Sequence, residues 1–116
     1  MAQLILLKGL PYSGKTTWAK EWAAKKHNRI RLSWREIRRM QGGWNDRKHT
    51  DLAVYTALSL LRRALTEGYD VVLDEGNLYP AEFAPFLAMA QMMKKKVVVR
   101  VIQASPEVCK ERCLAA

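Results

Sequence analysis

Eight consecutive residues, Gly9-Leu10-Pro11-Tyr12-Ser13-Gly14-Lys15-Thr16, constrain the fold of this chain more than any other feature. They satisfy G-x-x-x-x-G-K-[ST] at every fixed position, which unrelated sequences of this length do by chance in roughly a few cases per thousand. The flanks support the match. Residues 3–8 (QLILLK) form a short apolar run like a buried parallel strand, and residues 15–26 place Trp18, Ala19, Trp22 and Ala23 at helical spacing. A glycine-rich loop between a strand and a helix N-terminus turns successive N–H groups inward around a polyphosphate. In such a loop Lys15 reaches the β- and γ-phosphates and the Thr16 hydroxyl ligates Mg²⁺. Gly9, Pro11, Tyr12, Ser13, Gly14 and Thr17 complete the expected nucleotide site.

The remaining elements alternate strand and helix. Residues 29–33 (RIRLS) read as a strand, and residues 34–41 as a short helix stopped by Gly42-Gly43. Residues 51–67 are the clearest helix, with Leu52, Tyr55, Leu58 or Ser59, and Arg62 marking its turns and Gly68 as its C-cap. Residues 69–74 (YDVVLD) form a strand ending in a carboxylate. Pro80 opens a helix toward Met93 that Pro85 is expected to kink or delay. Residues 96–103 have the β-branched density of a central strand, and Ser105-Pro106-Glu107 begins a last helix. This order predicts one α/β domain over residues 1–116: a three-layer α/β/α sandwich around a short, mainly parallel sheet of about four strands, built on the phosphate loop.

A strand-terminal acid lies at the edge of a parallel sheet where ligands bind, so Asp74 is the candidate second metal ligand beside Thr16. Glu75 reads either as part of the site or as solvated, and Asn77 as a turn cap. The chain carries 20 Lys and Arg against 11 Asp and Glu, a formal charge of +9 that favours an anionic partner. Nine of the basic residues lie between Lys25 and Lys48, opposed only by Glu36 and Asp46. That segment reads either as a basic groove that could hold a single nucleic-acid strand, with Trp34 and Trp44 packing or stacking on bases, or as a plain solvated face. No apolar run is long enough for a membrane span and the N-terminus lacks a signal-peptide pattern, so no membrane partner is expected. Cys109 and Cys113, the only two cysteines, form neither a disulfide framework nor a zinc site, which fits a reducing cytoplasm.

With these motifs in place, the sequence resembles the kinase domain of bacteriophage polynucleotide kinases, within the P-loop kinase group that includes zeta-type toxins and antibiotic phosphotransferases. Three segments carry the resemblance: GLPYSGKTTWAKEW (9–22), EGYDVVLDEGNLYP (67–80) and VIQASPEVCKER (101–112). It implies ATP and Mg²⁺ as cofactors, a 5′-hydroxyl nucleic-acid end as acceptor, and a cytoplasmic setting, the host's if phage-encoded. Asp74 and Asn77 match the family's D-x-T-N element, with Gly76 in place of threonine. Arg38 matches the arginine that contacts the acceptor phosphate, and Arg112 the first of two lid arginines. The family's base position holds Arg35, which leaves Glu36 as the candidate base. The resemblance further implies a second lid arginine, adenine-binding lid segments and a fifth strand after Arg112 that this sequence does not carry, which reads as a truncated natural form, as assembly with a second copy or a partner chain that supplies the lid, or as lost activity. Two other readings stay open: a nucleotide-binding regulator that has lost turnover, and a small-molecule kinase.

Overall fold

A computed structural model describes residues 2–9, 13–75 and 80–102. Along them run β1 (Gln3–Lys8), α1 (Lys15–Ala24), β2 (Arg29–Leu32), α2 (Trp34–Met40), α3 (Arg47–Thr66), β3 (Asp70–Leu73), α4 (Pro80–Met92) and β4 (Lys96–Val101). The four strands form one sheet in the order β2-β3-β1-β4, and every pairing is parallel. Leu4, Ile5 and Leu6 of β1 lie opposite Val71, Val72 and Leu73 of β3, so the apolar runs of these two strands are buried together at the centre.

Helices cover both faces, as the alternating element order implied. Leu4, Leu6, Leu32, Val71 and Leu73 pack against α3 and α4, where Leu61, Leu65 and Phe86 are fully buried. On the opposite face Ile5, Leu7 and Val72 pack against Ala19, Trp18 and Trp22 of α1. No helix among the described residues is long and apolar enough to cross a membrane.

Three elements differ from the sequence reading, each for a local reason. The α3 helix starts at Arg47 rather than at residue 51, because the Asp46 carboxylate accepts the His49 N–H at 2.8 Å and caps it earlier. Its buried seam is Ala53, Ala57, Leu61, Ala64 and Leu65, while Leu52 and Tyr55 face outward, Tyr55 with 72% of its surface exposed. Small residues let the helix lie close to the sheet, so the alanines rather than the larger side chains mark the inner face. Helix α4 starts at Pro80 and runs through Pro85 without delay. Finally, β4 pairs with β1 alone among the described residues, an edge strand with Val99 and Val101 exposed rather than a central one. The helix expected from Ser105, and both cysteines, lie outside the described residues.

Candidate functional site

The loops that follow β1, β2 and β3 open at the same sheet edge, where parallel α/β sheets bind ligands. Gly9, Ser33, Asp74 and Glu75 lie just past these strand ends and line one cleft of about 340 Å³. Lys15, Thr16, Arg31, Arg35, Glu36, Arg39 and Glu82 complete its lining. The ends of three strands, far apart in sequence, thus meet on one cavity with residues of α1, α2 and α4. A second cavity of about 330 Å³ lies on the α1 face. It is bordered by the stacked rings of Trp18 and Trp22, with Arg100 and Arg29 over them.

On the first wall the backbone sets the geometry. A Cβ at Gly9 would lie 2.8 Å from both the Ile102 carbonyl oxygen and Ser13 Oγ, so only glycine fits between the end of β4 and the loop. Gly14, with φ 97°, takes the left-handed conformation that starts α1 and accepts the Trp18 N–H at 2.9 Å. Lys15 donates from Nζ to the Gly9 carbonyl oxygen across the loop. Ser13 Oγ is buried and has no hydrogen-bond partner among the described residues. A buried hydroxyl beside a lysine and a helix N-terminus suits an incoming phosphate oxygen.

On the second wall side chains pair with one another. Arg31, at the third position of β2, donates from Nε to Asp74 Oδ2 at 2.7 Å. Its two terminal nitrogens grip Glu36 as a fork, at 2.9 and 2.7 Å. This fork holds the Glu36 carboxyl below the usual range and raises the Arg31 guanidinium. Ser33 caps α2 by accepting the Glu36 N–H and donates its own hydroxyl to Glu75 Oε1 at 3.0 Å. Glu75 also accepts the Arg35 N–H at 3.3 Å. Arg35 Nε lies 3.3 Å from Glu75 Oε2, close enough for an ion pair but not aligned as a hydrogen bond. The Glu75 side chain is only 1% exposed, and burial pushes its carboxyl up despite these partners.

The sequence-predicted residues divide accordingly. Gly9, Lys15, Thr16, Glu36 and Asp74 share the cleft lining; Ser13 and Gly14 shape the loop beside it, and Thr17 sits exposed on α1. Arg38 does not line the cleft: it donates to Thr50 Oγ1 at 3.0 Å and lies over the Trp34 ring. Trp34 packs against the core, and Trp44 is exposed. Of the nine basic residues between Lys25 and Lys48, only Arg31, Arg35 and Arg39 line the cleft, so its four cations face four carboxylates. Pro11, Tyr12, Gly76, Asn77 and Arg112 lie outside the described residues. Arg31 was missed by the sequence reading. The available signal was a cation at an inner position of a strand that ends at the cleft.

No group of three or more His, Cys, Asp or Glu side chains among the described residues is arranged to hold a metal ion alone. Thr16 and Asp74 nevertheless offer a hydroxyl and a carboxylate in one cleft, and Arg31 engages Asp74 through Oδ2 rather than Oδ1. Few hard oxygen donors beside a phosphate loop fit Mg²⁺, which keeps waters and takes substrate phosphates as its other ligands.

A family model described as "AAA domain" (AAA_33) matches residues 4–115. No curated protein sequence matches the chain significantly. Among solved structures, a Pnkp1/Rnl/Hen1 complex superposes with a TM-score of 0.84 at 20% identity over 97% of this chain. A second such structure, of the Pnkp1/Rnl/Hen1 RNA repair complex, gives 0.76 at 20% identity over 99%. A "putative kinase" from Chloroflexus aurantiacus gives 0.79 at 20% identity over 98%. At that identity the likeness concerns the fold, a kinase-like P-loop α/β domain. The chain spans 39% of each of the first two proteins and 65% of the third.

Proposed function

The chain belongs to the AAA_33 family of AAA domains, and on that premise we propose that its cleft transfers the γ-phosphoryl group of ATP to the 5′-hydroxyl of a polynucleotide. One observation carries the reading: Lys15 and Thr16 of the phosphate loop, Asp74 of the third strand and the acceptor-side residues of α2 line a single cavity. Lys15 leaves the Gly9 carbonyl to meet the β- and γ-phosphates, and Ser13 Oγ gains the partner it lacks. Thr16 and Asp74 would hold Mg²⁺, which supplies charge neutralisation at the phosphate oxygens. Arg112, matched to a lid arginine by the resemblance, would add transition-state charge. Arg38 would reach an acceptor phosphate by giving up Thr50. The RNA-repair setting of one similar structure supports a nucleic-acid acceptor.

A second reading has its own support. Glu36, the candidate base, is held by Arg31 through both oxygens, and its carboxyl is a weaker base for that contact. With Arg35 at the neighbouring position, a nucleotide-binding regulator without turnover fits the same cleft. Phosphoryl transfer rests mainly on positioning and charge, and general-base help is worth about 10²–10⁴-fold, so the transferase reading survives a weak base.

The test incubates the protein with γ-labelled ATP, Mg²⁺ and 5′-hydroxyl DNA, 5′-hydroxyl RNA, nucleosides or buffer. Label is expected on an oligonucleotide, and Lys15→Ala is expected to lower transfer by about 10²-fold or more. Transfer that survives Lys15→Ala sinks the proposal. ATP binding with no labelled acceptor establishes the regulator instead, and label on nucleosides alone points to a small-molecule kinase.

A further inference from the structure

One guanidinium joins the two halves of the cleft. Arg31 is 14% exposed in its side chain and serves three carboxylate oxygens: Asp74 Oδ2 on the nucleotide side, and both oxygens of Glu36 on the acceptor side. The Asp74 side chain is only 2% exposed, so it gains little screening from water. A cation bound to Asp74 therefore meets a carboxylate whose charge is already shared at 2.7 Å with a permanent positive group.

We propose that Arg31 is a positioning residue that sets how strongly the cleft holds a divalent cation: it keeps Asp74 Oδ2 for itself, leaves Oδ1 as the single oxygen on offer, and weakens that oxygen by its charge. Glu36 is part of the same device. By taking both terminal nitrogens of Arg31 it draws positive charge toward the acceptor side, so Asp74 keeps more of its own. Cation affinity is thus set by how one guanidinium is divided between two carboxylates. Because binding energies are reciprocal, a cation that takes Asp74 also loosens the Arg31–Asp74 contact and leaves the fork on Glu36. This inference rests on the reading of Asp74 as the cation's protein ligand.

The experiment measures Mn²⁺ binding by electron paramagnetic resonance on the protein saturated with a non-hydrolysable ATP analogue, so catalysis plays no part. Arg31→Met, which keeps the bulk and removes the charge, is expected to tighten Mn²⁺ by roughly tenfold, the scale of outer contacts on a metal ligand. Arg31→Lys, which keeps the charge and loses the fork, is expected to stay within about twofold of the parent, since the charge sets the effect. Glu36→Gln is expected to weaken Mn²⁺, because Arg31 is no longer shared. A simple anchoring role predicts instead that Met and Lys both weaken Mn²⁺, and that result overturns the proposal, as does an unchanged affinity in Arg31→Met. Asp74→Asn separates the two levels. If Asn leaves Mn²⁺ affinity untouched, the reading of Asp74 as a ligand fails; if Asn weakens it while Met does not tighten it, only the role of Arg31 fails. Should Arg31→Met not fold, an affinity held within about twofold in Arg31→Lys together with a weakened one in Glu36→Gln carries the proposal, and a weakened affinity in Arg31→Lys or an unchanged one in Glu36→Gln overturns it.

Discussion

On the wall proposed for the nucleotide, Lys15 donates to a backbone carbonyl and Ser13 Oγ has no hydrogen-bond partner among the described residues, whereas on the wall proposed for the acceptor Arg31 ties Glu36 to Asp74 through three carboxylate oxygens. The first wall is shaped by backbone, with polar groups that a phosphate completes. The second is shaped by side chains from β2, α2 and the end of β3 that complete one another. A wall of the first kind gains by binding, because an orphan hydroxyl finds its partner. A wall of the second kind must break existing pairs before it can hold anything new. The acceptor side is therefore the costlier one to open, although the chain's positive charge is concentrated in the segment that builds it.

The sharpest way to break this contrast is Gly9→Ala. The added methyl would lie 2.8 Å from the Ile102 carbonyl oxygen and from Ser13 Oγ, and the first of these is backbone that cannot turn aside. The loop must shift, at a cost of about 1–3 kcal/mol by analogy with overpacked cores. Binding of a fluorescent ATP analogue is expected to be lost at concentrations that saturate the parent, while circular dichroism still reports a folded chain. Unchanged nucleotide binding would mean that the backbone does not shape this wall.

A smaller effect is expected on the other wall from Glu75→Ala. It leaves Ser33 Oγ and the Arg35 N–H without their acceptor and loosens the start of α2. Hydrogen bonds to a charged group are worth about 1.5–3 kcal/mol each, so a loss near 2 kcal/mol in urea denaturation is expected. Glu75→Gln is expected to restore most of it, since the amide oxygen still accepts both bonds and burial already disfavours the charge. Equal losses for Ala and Gln would show that charge rather than acceptor geometry holds α2.

The contrast between walls also explains what could be read without coordinates. The phosphate loop is legible because its geometry is local: glycine at 9 and 14, lysine at 15 and a hydroxyl at 16 lie within eight residues, between a strand and a helix. Asp74 is legible because it ends an apolar run. The parallel sheet follows from strands alternating with helices. The acceptor wall is not legible in this way, because Arg31 meets Asp74 across 43 positions and Ser33 meets Glu75 across 42. Spacing carries no signal for such pairs. The expectation of a basic groove fails in the same place: charges summed along the segment say nothing of which ones face a carboxylate. Arg38, matched to an acceptor-phosphate contact, pairs with Thr50 of α3, a residue on a helix whose start the sequence placed four residues too late.

The mildest test concerns acid. The Arg31 fork holds the Glu36 carboxyl below its ordinary value of 4.5 in the folded chain, while the unfolded chain sits near that value. A carboxylate with a lowered folded pKa adds stability that is fully present above the unfolded value and is lost as pH falls through the folded one. The buried Glu75 carboxyl runs the other way: its pKa is raised, so its contribution is full below 4.5 and declines as pH rises through the folded value. In the parent the two slopes have opposite signs and lie on either side of 4.5, that of Glu36 below it and that of Glu75 above it. Glu36→Gln removes one of them. The variant is expected to be less stable at neutral pH by under 1 kcal/mol, because the Glu36 side chain is 44% exposed and its pair is screened. It is also expected to lose stability less steeply below pH 4.5, as followed by urea midpoints at stepped pH. An acid limb as steep as the parent's would mean that the fork leaves Glu36 no more acidic in the folded chain than in the unfolded one, and the acceptor wall would then be far looser than its hydrogen bonds imply.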